Sequence, residues 1–460
     1  LSSKQPRLRP ETPNDVSRPE FLRRTGALGI AAAAQLGFPL LEARRADAAP
    51  LPPARDVIAA GGRVPIVRIG HIDGFTGVYA AASESQHTGL QQAVEDANRK
   101  YGSKVQFEIV RGDDTSAPII GKYEARRLIE EEHVDVLMGC LSSGVGLVVS
   151  AVAQEHGVIY FAVGTHDTNI TGPKANRCCF RTTCSNSMLV NAVAPPLLRE
   201  GKKWFFVTAD YAFGNDAHVR FRQHLLAAPG GVEVGEIKHK LGETDYDPIM
   251  QRISRTDSDV LVFCNYGPDT LNSVITAVKY GLNKRMRFGG ILSGNEVVVG
   301  MPTDEIVGSL FGYIWGPEAK GYRTPEIYAK LKARAKSFPP NWRQYLGFVT
   351  GEVIADRIVY TRTTDSTTLI KALEDYHYDS GKGTLNYLRA CDHQSVQETY
   401  AGRIVERNRR RSPDEFFEIS STIDGDTAAG NCENPDSKAA ETIFAKETVP
   451  AREDYTPVGV

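Results

Sequence analysis

Short apolar strand patterns alternate with helical stripes through most of this chain. No other sequence feature restricts its fold more. Val64 to Ile72 reads as a strand, and Leu90, Ala93, Val94 and Ala97 follow at helical spacing. Val105 to Val110, Val134 to Gly139 and Val158 to Val163 are further strands, with helices predicted over Ala117 to Glu132 and along Val145, Val148, Val149 and Val152. The rhythm breaks around Thr171 to Cys184 and then restarts. Trp204 to Thr208, Val232 to Ile237, Asp259 to Cys264, Arg287 to Leu292 and Leu310 to Ile314 are strands of a second run. Strands joined by helices of this length form parallel sheets through right-handed crossovers, and two runs imply two sheets. The predicted class is α/β, with two Rossmann-like lobes.

Later segments differ. Pro325 to Ser337 and Tyr345 to Thr361 are predicted helices, and Thr384 to Arg389 and Thr399 to Val405 are strands expected to return to the two sheets. Lobe 1 is expected to span 63–182 plus 322–390, and lobe 2 to span 183–321 plus 391–408. The chain would cross between them near 182–200, 315–322 and 390–398. Residues 409–460 lose apolar periodicity and read as an extended polar tail.

The start of the chain reads as an address. Gly26 to Leu41 is a short apolar run interrupted by Gln35 and Pro39, and Ala46-Asp47-Ala48 has the pattern of a cleavage site. Residues 1–48 are therefore expected to be a signal peptide, cleaved near Ala48. Ser17-Arg18-Pro19-Glu20-Phe21-Leu22-Arg23 resembles the twin-arginine export motif, with Pro19 in place of its second arginine. Either export route implies a bacterial periplasm. Lys and Arg number 54 against 56 Asp and Glu, so a strongly basic nucleic-acid binder is excluded. Seven cysteines permit disulfides in such a compartment. Cys391 and Cys432 could tie down the tail, and Cys178 or Cys179 could pair with Cys184. Neither CxxC nor a spaced Cys/His set is present, and no metal or cofactor is expected.

Ligands of open parallel sheets bind beyond the carboxyl ends of the strands. The loops there are Asp73 to Gly77, which holds Phe75, Cys140 to Gly144, and Gly164 to Thr168. In the second run they are Ala209 to Gly214, Asn265 to Gly267, and Ser293 to Glu296. Ser142 and Ser143 precede a helix, where free amides and hydroxyls favour an anion. Helix capping would use the same residues. Thr165 and Thr168 could bring further hydroxyls to that anion, or serve ordinary turn chemistry. The second run supplies Tyr211, Phe213 and Tyr266.

Several motifs in order resemble the type I periplasmic substrate-binding proteins of ABC transporters, of the branched-chain amino-acid-binding kind. They are Gly70 through Gly77, Asp113-Asp114 with Pro118, Val134-Asp135 through Gly144, Asp210-Tyr211-Ala212-Phe213-Gly214, and Asp392-His393-Gln394. Together they span about residues 63 to 408. The resemblance implies two lobes on a three-segment hinge. It also implies a ligand carboxylate held by Ser142, Ser143, Thr165 and Thr168. An aromatic at Phe213 and an acid at Glu296 would match the positions that read an ammonium. Phe213 has no hydroxyl, so an aromatic or other small organic acid fits as well as an aliphatic amino acid. His166 and Asp167 are placed facing the cleft. The implied protein is a monomer that binds a small molecule, docks on ABC permease subunits and is not an enzyme. A ligand sensor of the same fold, of amide or urea type, is the alternative. A hydrolase built on Ser142, His166 and Asp167 is a further one, although no G-x-S-x-G elbow is present.

Overall fold

Five strands make the first sheet: β1 (Ile66–Asp73), β2 (Gln106–Asp113), β3 (Val136–Gly139), β4 (Ile159–Ala162) and β5 (Cys179–Arg181). All are parallel, in the order β2-β1-β3-β4-β5. The computed structural model describes residues 64–334 and 339–432. Helices α1 (Ala80–Tyr101), α2 (Pro118–Glu130) and α3 (Ser143–Glu155) connect the first four strands. β3 and β4 are buried along their whole length, as expected of strands covered on both faces.

The chain then passes into α4 (Asn186–Glu200) and a second sheet. Its elements are β6 (Lys203–Ala209), α5 (Ala212–Ala227), β7 (Val232–His239), α6 (Asp247–Ile253), β8 (Val260–Cys264), α7 (Pro268–Lys279), β9 (Arg287–Gly290), α8 (Asn295–Val298) and β10 (Leu310–Tyr313). After β10 the chain returns to the first lobe through α9 (Thr324–Arg334), α10 (Trp342–Thr361) and α11 (Ser366–Leu373). A small antiparallel sheet follows, made of β11 (His377–Tyr378), β12 (Asn386–Leu388) and β13 (Ser395–Val396). β14 (Thr399–Ile404) then pairs antiparallel with β10, which completes the third passage between lobes. The fold is that of two α/β lobes on a three-segment hinge.

Two expectations change. The strand predicted over 384–389 does not rejoin the first sheet. Its core, β12, pairs with β11 and β13, because the turn at Asp375 and Tyr376 folds the chain back locally. The described part of the polar segment after residue 408, up to residue 432, also holds more regular structure than its composition implies. β15 (Phe417–Ile423) lies antiparallel on β14 as an edge strand, and α12 (Gly425–Ala429) follows. Its burial alternates, as expected of an edge with one solvent face. A disulfide joins Cys391 to Cys432. The second expected pair, with Cys184, is not formed: Cys184 is a buried thiol, like Cys140, Cys179 and Cys264. The expected signal peptide lies outside the described residues.

Close packing of α1 on α10 positions the start of α10. A Cβ at Gly89 would fall 1.9 Å from the Gln344 carbonyl oxygen, and one at Gly347 would fall 2.0 Å from that of Gln86. Only glycine lets the two backbones approach this far. Asn341 caps α10, accepting from the amides of Arg343 and Gln344 at 3.0 and 3.1 Å. The helix therefore begins three residues before the predicted Tyr345.

Candidate functional site

Asp73, at the end of β1, organises the loops of the first lobe. Its carboxylate accepts from the amides of Gly74 and Leu141 at 3.0 and 2.9 Å, and from the Gln86 side chain at 2.8 Å. The chain turns sharply after β3, with Gly139 at φ 130° and Cys140 at φ 61°. Ser142 follows as the N-cap residue of α3, but its hydroxyl makes no capping bond. Ser143 accepts from the Asp167 amide at 3.3 Å, tying the β3 loop to the β4 loop. Thr165 donates its hydroxyl proton to the Cys140 carbonyl at 3.0 Å. Both side chains thus join loop to loop within the first lobe.

His166 is fully enclosed. Its Nδ1 lies 2.7 Å from the Cys184 carbonyl. A carbonyl only accepts, so Nδ1 carries the proton and Nε2 keeps a lone pair. Nε2 is buried and has no hydrogen-bond partner. Burial, and next the charge of Arg343, push the imidazole well below its usual range, so it is neutral. Asp167 accepts from the amide and side chain of Asn169, both at 2.7 Å, and not from His166. The His–Asp relay that a hydrolase would need is not assembled. Burial, then the nearby charge of Asp216, push the Asp167 carboxyl up to about 6.

Contacts between the lobes are specific. Thr168 donates its amide and hydroxyl to Asp216 of α5 at 2.9 and 2.8 Å. Asn186, of the second lobe itself, donates to the same carboxylate oxygen at 2.9 Å. Tyr79 and Tyr211 share a hydrogen bond between their hydroxyls at 2.6 Å. Within the second lobe, Tyr266 donates to Glu296 at 2.8 Å. Burial raises the Glu296 carboxyl above its ordinary value, although the Tyr266 hydroxyl, the Arg343 charge and the Trp342 indole N–H oppose the shift.

Six aromatic side chains from both lobes close into a circuit. From Tyr211 the ring contacts run to Phe213 at 6.0 Å, to His166 at 6.0 Å, to Trp342 at 5.7 Å, to Tyr266 at 5.6 Å and to Tyr79 at 6.0 Å. The Tyr79–Tyr211 hydroxyl bond completes it. Beside the circuit lies a cavity of about 950 Å³, bordered by Tyr79, Tyr266, Glu296, Asn341 and Gln344. That volume is at the upper end of small-molecule pockets.

The structure gathers His166, Tyr211, Phe213, Tyr266 and Glu296, with Ser142, Ser143, Thr165, Asp167 and Thr168 in the loops alongside. Phe75 is placed elsewhere. Its ring meets His71 and His87 edge-on and carries the Arg111 guanidinium 3.8 Å above it, a cation–π contact that holds it to the outer loop. Tyr79, Trp342 and Arg343 were not anticipated. Arg343 is 1% exposed, and its guanidinium lies 3.7 Å over Trp342 and 4.5 Å over Tyr266. Pro340-Asn341 before Trp342 was the available signal, since asparagine is a strong cap and would have started α10 earlier.

A family model of periplasmic binding proteins matches residues 66–409. The chain belongs to the periplasmic binding protein family. Relatives of this periplasmic binding protein include Leu/Ile/Val-binding protein homolog 6 of Brucella melitensis, 27% identical over 49% of this chain and 57% of the relative. The chain thus matches little more than half the length of that relative. Leu/Ile/Val-binding protein homolog 7 of the same organism is 24% identical over 72% of this chain and 86% of the relative. Among solved structures, a periplasmic binding protein from Burkholderia mallei superposes with a TM-score of 0.74 at 22% identity, covering 79% of this chain and 96% of that one. An amino acid ABC transporter substrate-binding protein from Pseudomonas fluorescens gives 0.73 at 21% identity, over 81% and 100%. A solute-binding protein of an ABC transporter from Rhodopseudomonas palustris, in complex with 4-hydroxybenzoate, gives 0.69 at 20% identity, over 78% and 97%. These structures share the fold. Among the described residues of this periplasmic binding protein, no helix is long and apolar enough to cross a membrane.

Proposed function

We propose that this periplasmic binding protein captures a small carboxylate-bearing ligand, an amino acid or a small organic or aromatic acid, by hinge closure. It then presents the closed form to the membrane subunits of an ABC importer. The aromatic circuit carries this reading: its members come from both lobes, so the complete site exists only when the lobes meet. Closure removes water from the cleft and strengthens each polar contact to the ligand. The similar structures include one named for amino acids and one holding 4-hydroxybenzoate, which is consistent with either ligand class.

A thermal-shift screen of amino acids, aromatic acids, aliphatic acids, amides and urea tests it. A ligand present at a hundred times its Kd stabilises by about 2.7 kcal/mol. Failure of every amino acid and organic acid to raise the melting temperature would sink the reading. Export to the periplasm with cleavage after Ala48 belongs to the same proposal. Mass analysis of exported protein that still carries Arg23-Arg24 would overturn that part.

A further inference from the structure

The loops expected to hold a ligand carboxylate do not border the cavity of about 950 Å³. That cavity lies between α1 and the start of α10 on one side and the segments around Pro268 and Val297 on the other. Cavities of about 300–1,000 Å³ suit drug-sized molecules, so a free amino acid or a benzoate would leave much of it empty. Its walls carry no unmatched charge. Glu84 pairs with Arg111, Lys330 with Asp96, and Arg334 with Glu95. Glu296 accepts from Tyr266 at 2.8 Å, and the nearby Arg343 charge favours its ionised form. An ionic group entering the cavity would find no free counter-ion among the described residues.

The groups left open on the wall are neutral carboxamides. Gln344 is 5% exposed, its Oε1 is buried without a hydrogen-bond partner, and its Nε2 donates to no described residue. Asn341 gives its Oδ1 to the Ser85 hydroxyl and to the amides of Arg343 and Gln344, while its Nδ2 donates to no described residue. Val78, Ala82, Pro268, Leu271 and Val297 supply apolar surface around them. A carboxamide offers donors and an acceptor together, and another amide complements both. An acceptor buried without a partner weakens the fold, and a ligand that brings the missing donor removes that cost.

We propose that this cavity holds the body of the ligand, that the body is an uncharged amide bearing an apolar chain, and that the ligand class is therefore the N-acylated amino acids. This assignment rests on the solute-binding reading above and names the substrate class for the same cleft. The ligand's amide N–H supplies the donor that Gln344 lacks, and its carbonyl accepts from the free carboxamide donors of Gln344 or Asn341. The acyl chain packs on Leu271 and Val297. Acylation also removes the ammonium of the parent amino acid, which has no free carboxylate to meet on this wall. The carboxylate, the one charge left, stays at the solvent-facing mouth of the cavity.

Calorimetry on the whole protein tests this with matched probes: leucine and phenylalanine, their N-acetyl and N-hexanoyl forms, the dipeptide Ala-Leu, and esters in which oxygen replaces the amide N–H. The N-hexanoyl forms are expected to bind tightest, about tenfold or more above N-acetyl, because the longer chain buries more apolar surface. Free amino acids, Ala-Leu and the esters should each be weaker than the matching N-acyl form by about tenfold. Gln344→Leu should weaken the N-acyl forms by the same factor and erase the difference between amide and ester. Equal binding of amide and ester by the wild type, or wild-type affinity for the N-acyl forms in Gln344→Leu, overturns the proposal. The wild-type comparison decides the matter even if the variant does not fold. Binding of leucine, phenylalanine or benzoate as tightly as any N-acyl form overturns the inference while the proposed function stands. Binding of none of these acids overturns both.

Discussion

Replacing Asp167 by asparagine should stabilise this protein at neutral pH and leave it unchanged in acid. The Asp167 carboxyl is pushed up to about 6, by burial first and by the charge of Asp216 second. In an unfolded chain an aspartate titrates near 3.9. The native state therefore binds more protons between those two values, and ionisation weakens the fold as pH rises through that window. The penalty is absent below about 3.9 and complete above about 6. A gap of about 2 pH units corresponds to about 3 kcal/mol. Asparagine carries no charge and keeps a carbonyl oxygen for the Asn169 bonds. Asp167→Asn should thus gain about 1–3 kcal/mol at pH 7.5 and less than about 0.5 kcal/mol at pH 4. Urea unfolding of the ligand-free protein at both values measures this. An equal change at the two pH values, or a loss of stability at pH 7.5, would refute the electrostatic account.

Ser143→Ala leaves the buried Asp167 amide without its acceptor and should cost about 1–3 kcal/mol of stability, read by chemical unfolding. An unchanged midpoint would mean that the Asp167 amide does not depend on this bond. Gly89→Ala drives a methyl into the Gln344 carbonyl and should cost about 3 kcal/mol or more, with weaker ligand binding because the start of α10 moves. Wild-type stability in that variant would show that the two helices can separate freely. Cys391→Ser opens the bond that spans a sequence separation of 41 and should cost about 4 kcal/mol, as should reductant acting on the wild type. A melting temperature indifferent to reductant contradicts this.

Much of the architecture was legible because periodicity reports local geometry. The apolar runs of β3, β4 and β8 are buried on both faces, and such strands cannot be confused with solvent-facing ones. Turn residues marked the segments after the strands, which is where the structure puts Ser142, His166, Phe213 and Tyr266. The strand β15 escaped notice because its pattern is that of an edge, half polar, and its partner β14 supplies the reason it forms. Cys391 and Cys432 could be matched only as remaining thiols beside a tail.

The sequence by itself determined the parallel strands of two sheets, their connecting helices and the loops at the strand ends, since those depend on spacing within short stretches. The tertiary structure decided which hydroxyls are committed and which donors are not. Thr165 donates its only proton to the Cys140 carbonyl, and Ser143 accepts from the Asp167 amide, both partners that only folding brings near. Arg343 lies outside the helix predicted from Tyr345 and draws no attention in the sequence. It is buried and reaches Glu296 through Tyr266 because the Asn341 cap adds a first turn to α10, where the glycine contact with α1 lets the two helices pack closely. Packing between segments distant in the chain sets both facts, and no local pattern of residues encodes them.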